Sequence, residues 1–155
     1  MKWKLPPKIK IYEALGSIAD NRVHINGNSA KVYSSDGLKY YDVVYNPDSH
    51  SIMSNDNGSY WQGYLGYPSI AFLMLSSVIK YDETEAEAFR DIEWKKINTK
   101  FKNDFDKTIE FIFSQKITDK NIQQKISADA NKILSDIENL DLNLLGKRAK
   151  PPATK

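Results

Sequence analysis

Between Asn55 and Ile79 the chain reads NDNGSYWQGYLGYPSIAFLMLSSVI, and the two halves of this stretch demand different structures. The first half carries Gly58, Gly63 and Gly66, residues that permit positive φ and close backbone approach, interleaved with Tyr60, Trp61, Tyr64 and Tyr67. That pattern predicts a shaped loop. The second half opens with Pro68, favoured at the first helical position, and continues through Ile70, Ala71, Phe72, Leu73, Met74, Leu75, Val78 and Ile79. It is apolar on nearly every face, so it predicts a buried helix from Pro68 to Ile79 that the rest of the chain must cover.

A chain of 155 residues suffices for one domain that buries such a helix without staples. There is no cysteine, which removes disulfides, thiolate chemistry and cysteine-bound zinc together. The start, MKWKLPPKIK, is basic, but Pro6 and Pro7 interrupt it where a signal peptide needs a continuous apolar run, so no export signal is expected. The apolar run from Tyr64 to Ile79 contains Gly66 and Pro68 and falls short of the about 20 residues a membrane span requires. No membrane partner and a cytoplasmic location are therefore expected. Eight basic residues lie in the first ten and last ten positions with no acid among them, and setting them aside takes the net charge from +2 to −6. An acidic body between basic ends disfavours a long phosphate-binding surface, although Lys147, Arg148 and Lys150 offer an electrostatic aid near the C-terminus.

Upstream of the loop, Ile9, Ile11, Tyr12, Leu15 and Ile18 fall near helical spacing, with Gly16 interrupting the run, and predict a helix over Lys8 to Ala19. Strand-like runs follow at Arg22 to Ile25, Ala30 to Tyr33, Leu38 to Tyr45 and Ser51 to Ser54. They are separated by Asn26-Gly27-Asn28, Ser34-Ser35-Asp36-Gly37 and Asn46-Pro47-Asp48-Ser49. This is a small antiparallel meander of about four strands.

From Asp82 the pattern becomes helical. Asp82 and Glu85 are spaced as a capping box, and a phase shift after Phe89 predicts a break near Ile92, giving helices over Glu83 to Asp91 and Glu93 to Gln115. Thr118 or Asp119 caps a last helix. In it Ile126, Ile133 and Leu140 recur seven apart, with Ala130, Ile137 and Leu144 repeating beside them. That seam packs either on its own domain or on a second copy, and a homodimer through Ile126, Ile133, Ile137, Leu140 and Leu144 is one expectation. The tail from 146 to 155, with Pro151-Pro152 and no apolar mass, is expected to be disordered and basic.

No catalytic signature is present. His24 and His50 are the only neutral-pH bases and stand near turns or in an alternating run; Asp36, Asp42, Asp56 and His50 are the groups a hydrolase would have to use. Asn55-Asp56-Asn57-Gly58 has the look of a calcium loop, but Met53 falls where its first ligand belongs. No glycine-rich loop ends in Gly-Lys-Ser or Gly-Lys-Thr, and no serine lies in a nucleophile elbow. The tyrosines at 33, 40, 41, 45, 60, 64 and 67, with Trp61, are a different signal: large rigid rings with polar tips, suited to gripping a peptide or stacking a base, or to sealing the sheet against the helices.

Residues 34 to 75 resemble a SWIM zinc finger. The shared features are a strand leading into Ile52-Met53-Ser54-Asn55-Asp56, a variable loop, and Gly66-Tyr67-Pro68-Ser69-Ile70-Ala71 opening an apolar helix. That family places Cys-x-Cys and Cys-x-His pairs where this chain has Ile52, Ser54, Ser69 and Ala71, none of which binds zinc. The resemblance implies a ββα unit in which packing has replaced the metal, in a family associated with DNA or protein binding. It implies no enzymatic activity.

The sequence thus predicts one α+β domain over residues 1–145, with a sheet and buried helix at 22–79 and a helical layer at 82–145. It predicts no catalytic residues, no metal and no cofactor. The expected function is a non-enzymatic binding or interaction module using Tyr60, Trp61, Tyr64 and Tyr67, with Lys147, Arg148 and Lys150 beside them. A protein partner is favoured over nucleic acid. The alternatives are an assembly protein dimerising through the heptad helix, a nucleic-acid binder and a hydrolase.

Overall fold

The structure is a computed structural model that describes residues 1–153. It is α+β. A sheet in the order β1-β2-β3-β4-β5 comprises β1 (Val23–Asn26), β2 (Ser29–Tyr33), β3 (Tyr40–Asn46), β4 (Ser51–Ser54) and β5 (Asn143–Leu144). The first four strands form the expected antiparallel meander; β5 returns from the far end of the chain and pairs parallel to β4, with Ile52 opposite Leu144. That pairing makes the sheet mixed. Leu144, read as the end of the heptad helix, is a strand residue instead.

Of the two helices that flank the sheet segment, α2 (Tyr67–Leu75) packs on the sheet's inner face and α1 (Ile9–Ala19) packs on α2. In α1 (Ile9–Ala19), Ile9, Ile11, Tyr12, Ala14 and Leu15 are each at most 2% exposed. Gly16, which breaks the apolar spacing, does not break the helix. A Cβ there would lie 2.7 Å from the Trp94 indole nitrogen, so the glycine is the notch that lets Trp94 pack against α1. The apolar helix α2 (Tyr67–Leu75) is buried from Pro68 to Met74 as its sequence requires. It ends earlier than Ile79, because Ser77 turns to φ 63° and the amides of Val78 and Ile79 fold back on the Leu73 carbonyl. Burial of Val32, Tyr41, Val43 and Ile52 beneath these helices, with Lys31, Tyr40, Asp42 and Val44 exposed, follows the strand alternation.

The helical layer comprises α3 (Glu83–Ala88), α4 (Trp94–Lys100), α5 (Phe105–Gln115) and α6 (Lys120–Leu140). Asp82 caps α3, accepting from the amides of Thr84 and Glu85. The helix expected over Glu93 to Gln115 is divided in two. Lys102 and Asn103 adopt φ 54° and 61°, which no helix continues through, and Asp104 caps a fresh start. In α6 the heptad positions Ile126, Ala130, Ile133 and Ile137 are 1–6% exposed within the chain itself, and Leu140 packs partly buried against the same core. Ile126, Ile133 and Ile137 are thus covered by the chain itself, whereas Leu140 and Leu144 are only partly buried.

Candidate functional site

The loop after β4 is built around one buried carboxylate. Asp56, 5% exposed, accepts the hydroxyls of Ser54 and Ser59 at 2.7 Å each and the Ser59 amide at 3.2 Å. The Ser69 hydroxyl in α2 donates in turn to Ser54 Oγ at 2.8 Å. This network ties the end of the sheet to the start of the buried helix, and a carboxylate with several donors tolerates burial. Between them Gly58–Gln62 forms a single wide π-turn closed by Gly63 at φ 75°. The rim of the loop is laced from both ends of the chain. The Lys4 amide donates to the Gly63 carbonyl at 3.0 Å, and Arg148 Nη1 donates to the Tyr60 carbonyl at 3.0 Å.

On the inner side of this loop lies a cleft of about 610 Å³, within the range usual for small-molecule sites. Tyr64 and Tyr67 from the loop form one wall and Trp61 stands at its edge, 64% exposed. Tyr41 from β3 meets Tyr67 edge-on at 6.2 Å between ring centres. Lys10 and Glu13 enter from α1, Arg22 from the connection to β1, Lys39 from the β2–β3 turn, and Trp94, Lys95 and Asn98 from α4.

Charge is concentrated and only partly matched. Lys10 Nζ pairs with Glu13 Oε2 at 2.8 Å; the contact is off-axis for a hydrogen bond, but at that distance the charges are paired. Burial alone would lower the Lys10 pKa, and the negative charge of Glu13, aided by that of Asp56, outweighs it and raises the pKa. The tyrosines are held neutral: burial pushes Tyr41 up to about 12 and raises Tyr64 and Tyr67 as well. Lys39 makes no ion pair among the described residues, and burial together with the cation of Lys95 lowers its pKa. Four buried side-chain atoms of cleft-lining residues have no hydrogen-bond partner among the described residues: Glu13 Oε2, Arg22 Nη2, Asn98 Oδ1 and Trp94 Nε1, the last packed into the Gly16 notch. Buried groups of this kind are usually satisfied, by the chain or by ordered water.

A family model described as "Uncharacterised conserved protein UCP014422" matches residues 3–143. The chain belongs to this family. The UCP014422 match contains every cleft residue named above and stops short of Lys147, Arg148 and Lys150. No curated protein and no solved structure matches the chain.

Of the residues singled out in the sequence, the structure brings Trp61, Tyr64 and Tyr67 to the cleft. Tyr60 stacks edge-on against Trp61 at 4.7 Å and serves the loop rather than the cleft. Arg148 holds the loop, while Lys147 and Lys150 are exposed and line no part of the cleft. Of the expected disordered tail, Gly146–Ala153 carry no helix or strand, and residues 154 and 155 lie outside the described residues. Lys10, Glu13, Arg22, Trp94 and Asn98 were not legible as a site. They come from elements far apart in sequence.

The other candidates are accounted for locally. Asp36 accepts from the Ser34 hydroxyl at 2.6 Å and the Leu38 amide at 3.0 Å, and those bonds hold its carboxyl down at about 2. Asp42 lies exposed on β3. His24 sits against the Tyr33 ring on β1, whereas the His50 ring contacts the Leu140 carbonyl from the β3–β4 turn. Asp82, Glu85 and Asp129 cluster closely enough to hold a cation, but Lys125 Nζ already fills that role at 3.1, 2.8 and 2.9 Å.

Proposed function

We propose that this protein is a non-enzymatic, cytoplasmic binding module whose recognition site is the cleft behind the aromatic, glycine-rich loop. The observation that carries this reading is the cleft of about 610 Å³ walled by that loop, into which Trp61, Tyr64 and Tyr67 bring aromatic area and Lys10, Glu13 and Arg22 bring charge. A binding site needs apolar area with a few convergent polar groups, and this cleft has both. Among macromolecular partners a protein is favoured over a nucleic-acid strand, because Lys147 and Lys150 lie outside the cleft and Arg148 is engaged by the loop. Dimerisation through the heptad helix loses its support, since Ile126, Ile133 and Ile137 are covered within the chain.

We carry the degenerate SWIM-type finger forward as part of the proposal. The Ser54–Ser69 hydroxyl contact at 2.8 Å and the complete burial of Ile52 and Ala71 support a ββα unit held by hydroxyl bonding and packing at the positions of the family's ligands.

A fragment library screened by amide and indole chemical shifts tests the site. Hits are expected to move the Tyr64, Tyr67 and Trp94 signals together and to weaken in Trp61→Ala. Hits that cluster elsewhere, or shifts insensitive to Trp61→Ala, reject the cleft.

A further inference from the structure

The fold gathers the two basic ends of the chain beside the aromatic loop. The Lys4 amide donates to the Gly63 carbonyl at 3.0 Å and the Leu144 amide to the Met1 carbonyl at 2.8 Å. Arg148 joins all three segments, with Nη1 on the Tyr60 carbonyl at 3.0 Å and Nη2 3.9 Å from Met1 Sδ. Residues 1–5 and 142–150, at opposite ends of the sequence, therefore meet at the loop. They hold Lys2, Lys4, Lys147, Arg148 and Lys150 and no acid. Asp141, just before the second segment, pairs with Lys2 at 3.0 Å. Lys4, Lys147 and Lys150 are exposed and make no ion pair among the described residues.

Apolar area stands exposed in the same place. Trp61, held edge-on by Tyr60, is 64% exposed, and Met1 beside the Arg148 guanidinium is 60% exposed. An exposed indole among unpaired lysines fits an anionic bilayer surface, where tryptophan settles at headgroup level and lysines meet the negative charge of the lipids. Neither signal alone anchors a protein, and here the two coincide.

Other polyanions fit this patch less well. A nucleic-acid strand is tracked along a groove with successive rings, whereas none of the five cations lines the cleft and Trp61 is the one ring of the loop that stands mostly exposed. With the first ten and last ten residues set aside, the chain carries −6. That charge repels a long polyanion and turns the basic end towards a charged plane.

We propose that this end of the molecule docks peripherally on anionic lipid bilayers, with Trp61 entering the interface and Lys4, Lys147 and Lys150 meeting the headgroups. Such lipids line the cytoplasmic leaflet. Among the described residues no helix is long and apolar enough to cross a membrane, so the contact is with the surface alone. It is independent of what the cleft binds.

Co-sedimentation of the full chain with vesicles of phosphatidylcholine alone, and of phosphatidylcholine with about one-third phosphatidylserine, tests the proposal. Binding to the serine-containing vesicles is expected to be at least tenfold tighter and to weaken as salt is raised. Lys147→Ala/Lys150→Ala should weaken it about tenfold or more, whereas Lys147→Arg/Lys150→Arg, which keeps the charge, should retain it. Brominated lipid should quench part of the tryptophan fluorescence, and Trp61→Phe should abolish that quenching while Trp3 and Trp94 still emit. No co-sedimentation with the serine-containing vesicles at about 1 mM lipid, equal binding by the alanine pair, or quenching that survives Trp61→Phe overturns the proposal. So does tighter binding to oligothymidylate or to polyglutamate than to the vesicles, which would give the patch to a strand or an acidic peptide.

Discussion

The carboxylate of Asp56 occupies the space a side chain on residue 66 would need: a Cβ placed on Gly66 would lie 2.0 Å from Asp56 Oδ2. Gly66 is therefore fixed by its neighbour and not by its own backbone, which is extended at φ −77°. Gly66→Ala should displace the carboxylate from Ser54 and Ser59 and cost about 1–3 kcal/mol or more, as overpacking does. Urea denaturation with an unchanged m-value measures it. A loss below a few tenths would mean that Asp56 is free to move.

The buried helix makes opposite predictions for two leucines two residues apart. Leu73 is fully buried and Leu75 is 38% exposed at the helix end. Leu73→Ala should cost about 2–5 kcal/mol through the cavity it leaves. Leu75→Ala should cost about 0.5 kcal/mol or less, as surface substitutions do. Equal losses would put α2 at an interface instead of in the core.

Stability should fall as pH rises from about 4.5 to about 7, because burial and the neighbouring Asp129 push the Glu85 carboxyl up from 4.5 to about 7. Across that window the folded chain keeps a proton the unfolded chain has released, so rising pH favours unfolding. The lowered carboxyls of Asp36, Asp82 and Asp129 act in the opposite sense, at lower pH, below the ordinary value of 3.8. Glu85→Gln should flatten the higher window and, because the hydrogen bond with Glu85 is the largest cause of the Asp129 shift, also alter the lower one. Melting temperatures across pH 4 to 8 check this, and a wild-type curve that rises through the window would refute it.

Ile133 stands 6% exposed on the seam of α6. Ile133→Ala should lower stability by about 2–5 kcal/mol while leaving the sedimentation coefficient unchanged. A change in oligomeric state without a change in stability would return the seam to a partner.

The parts of this molecule written in adjacent residues were the parts legible in the sequence. Alternation in Tyr40 to Asn46, the Asn26-Gly27 turn, the Asp82 and Asp119 caps and the apolar run of α2 each carry their instruction locally, and the meander and helix order follow from them. Gly16 was misread as an interruption because its meaning lies in Trp94, which reaches it from another helix. The division at Phe101 to Asp104 turns on positive φ at Lys102 and Asn103, and lysine gives no warning of that. The loop aromatics could be named from sequence but not sorted. Whether a tyrosine lines a cleft or seals a sheet depends on what arrives opposite it, and here that is Lys10, Glu13, Arg22 and Asn98. The heptad spacing was real, yet a seven-residue repeat looks the same whether the surface it meets belongs to the same chain or to another.

The lacing of the loop from both ends of the chain bears on the order in which the molecule assembles. Arg148 reaches the Tyr60 carbonyl across 88 residues of sequence, the Trp3 amide meets the Leu142 carbonyl, and the Leu144 amide meets that of Met1. Contacts spanning such separations carry the largest chain-closure entropy and gain nothing until the elements between them are in place. The strap of β5 and Arg148 is then the last part to dock and the first to peel. Its release would free the rim of the cleft while leaving the core of α1, α2 and the meander intact. Amide exchange should show this as a low-energy opening shared by Gly63, Leu65 and Leu144 and absent from Ile70 to Phe72.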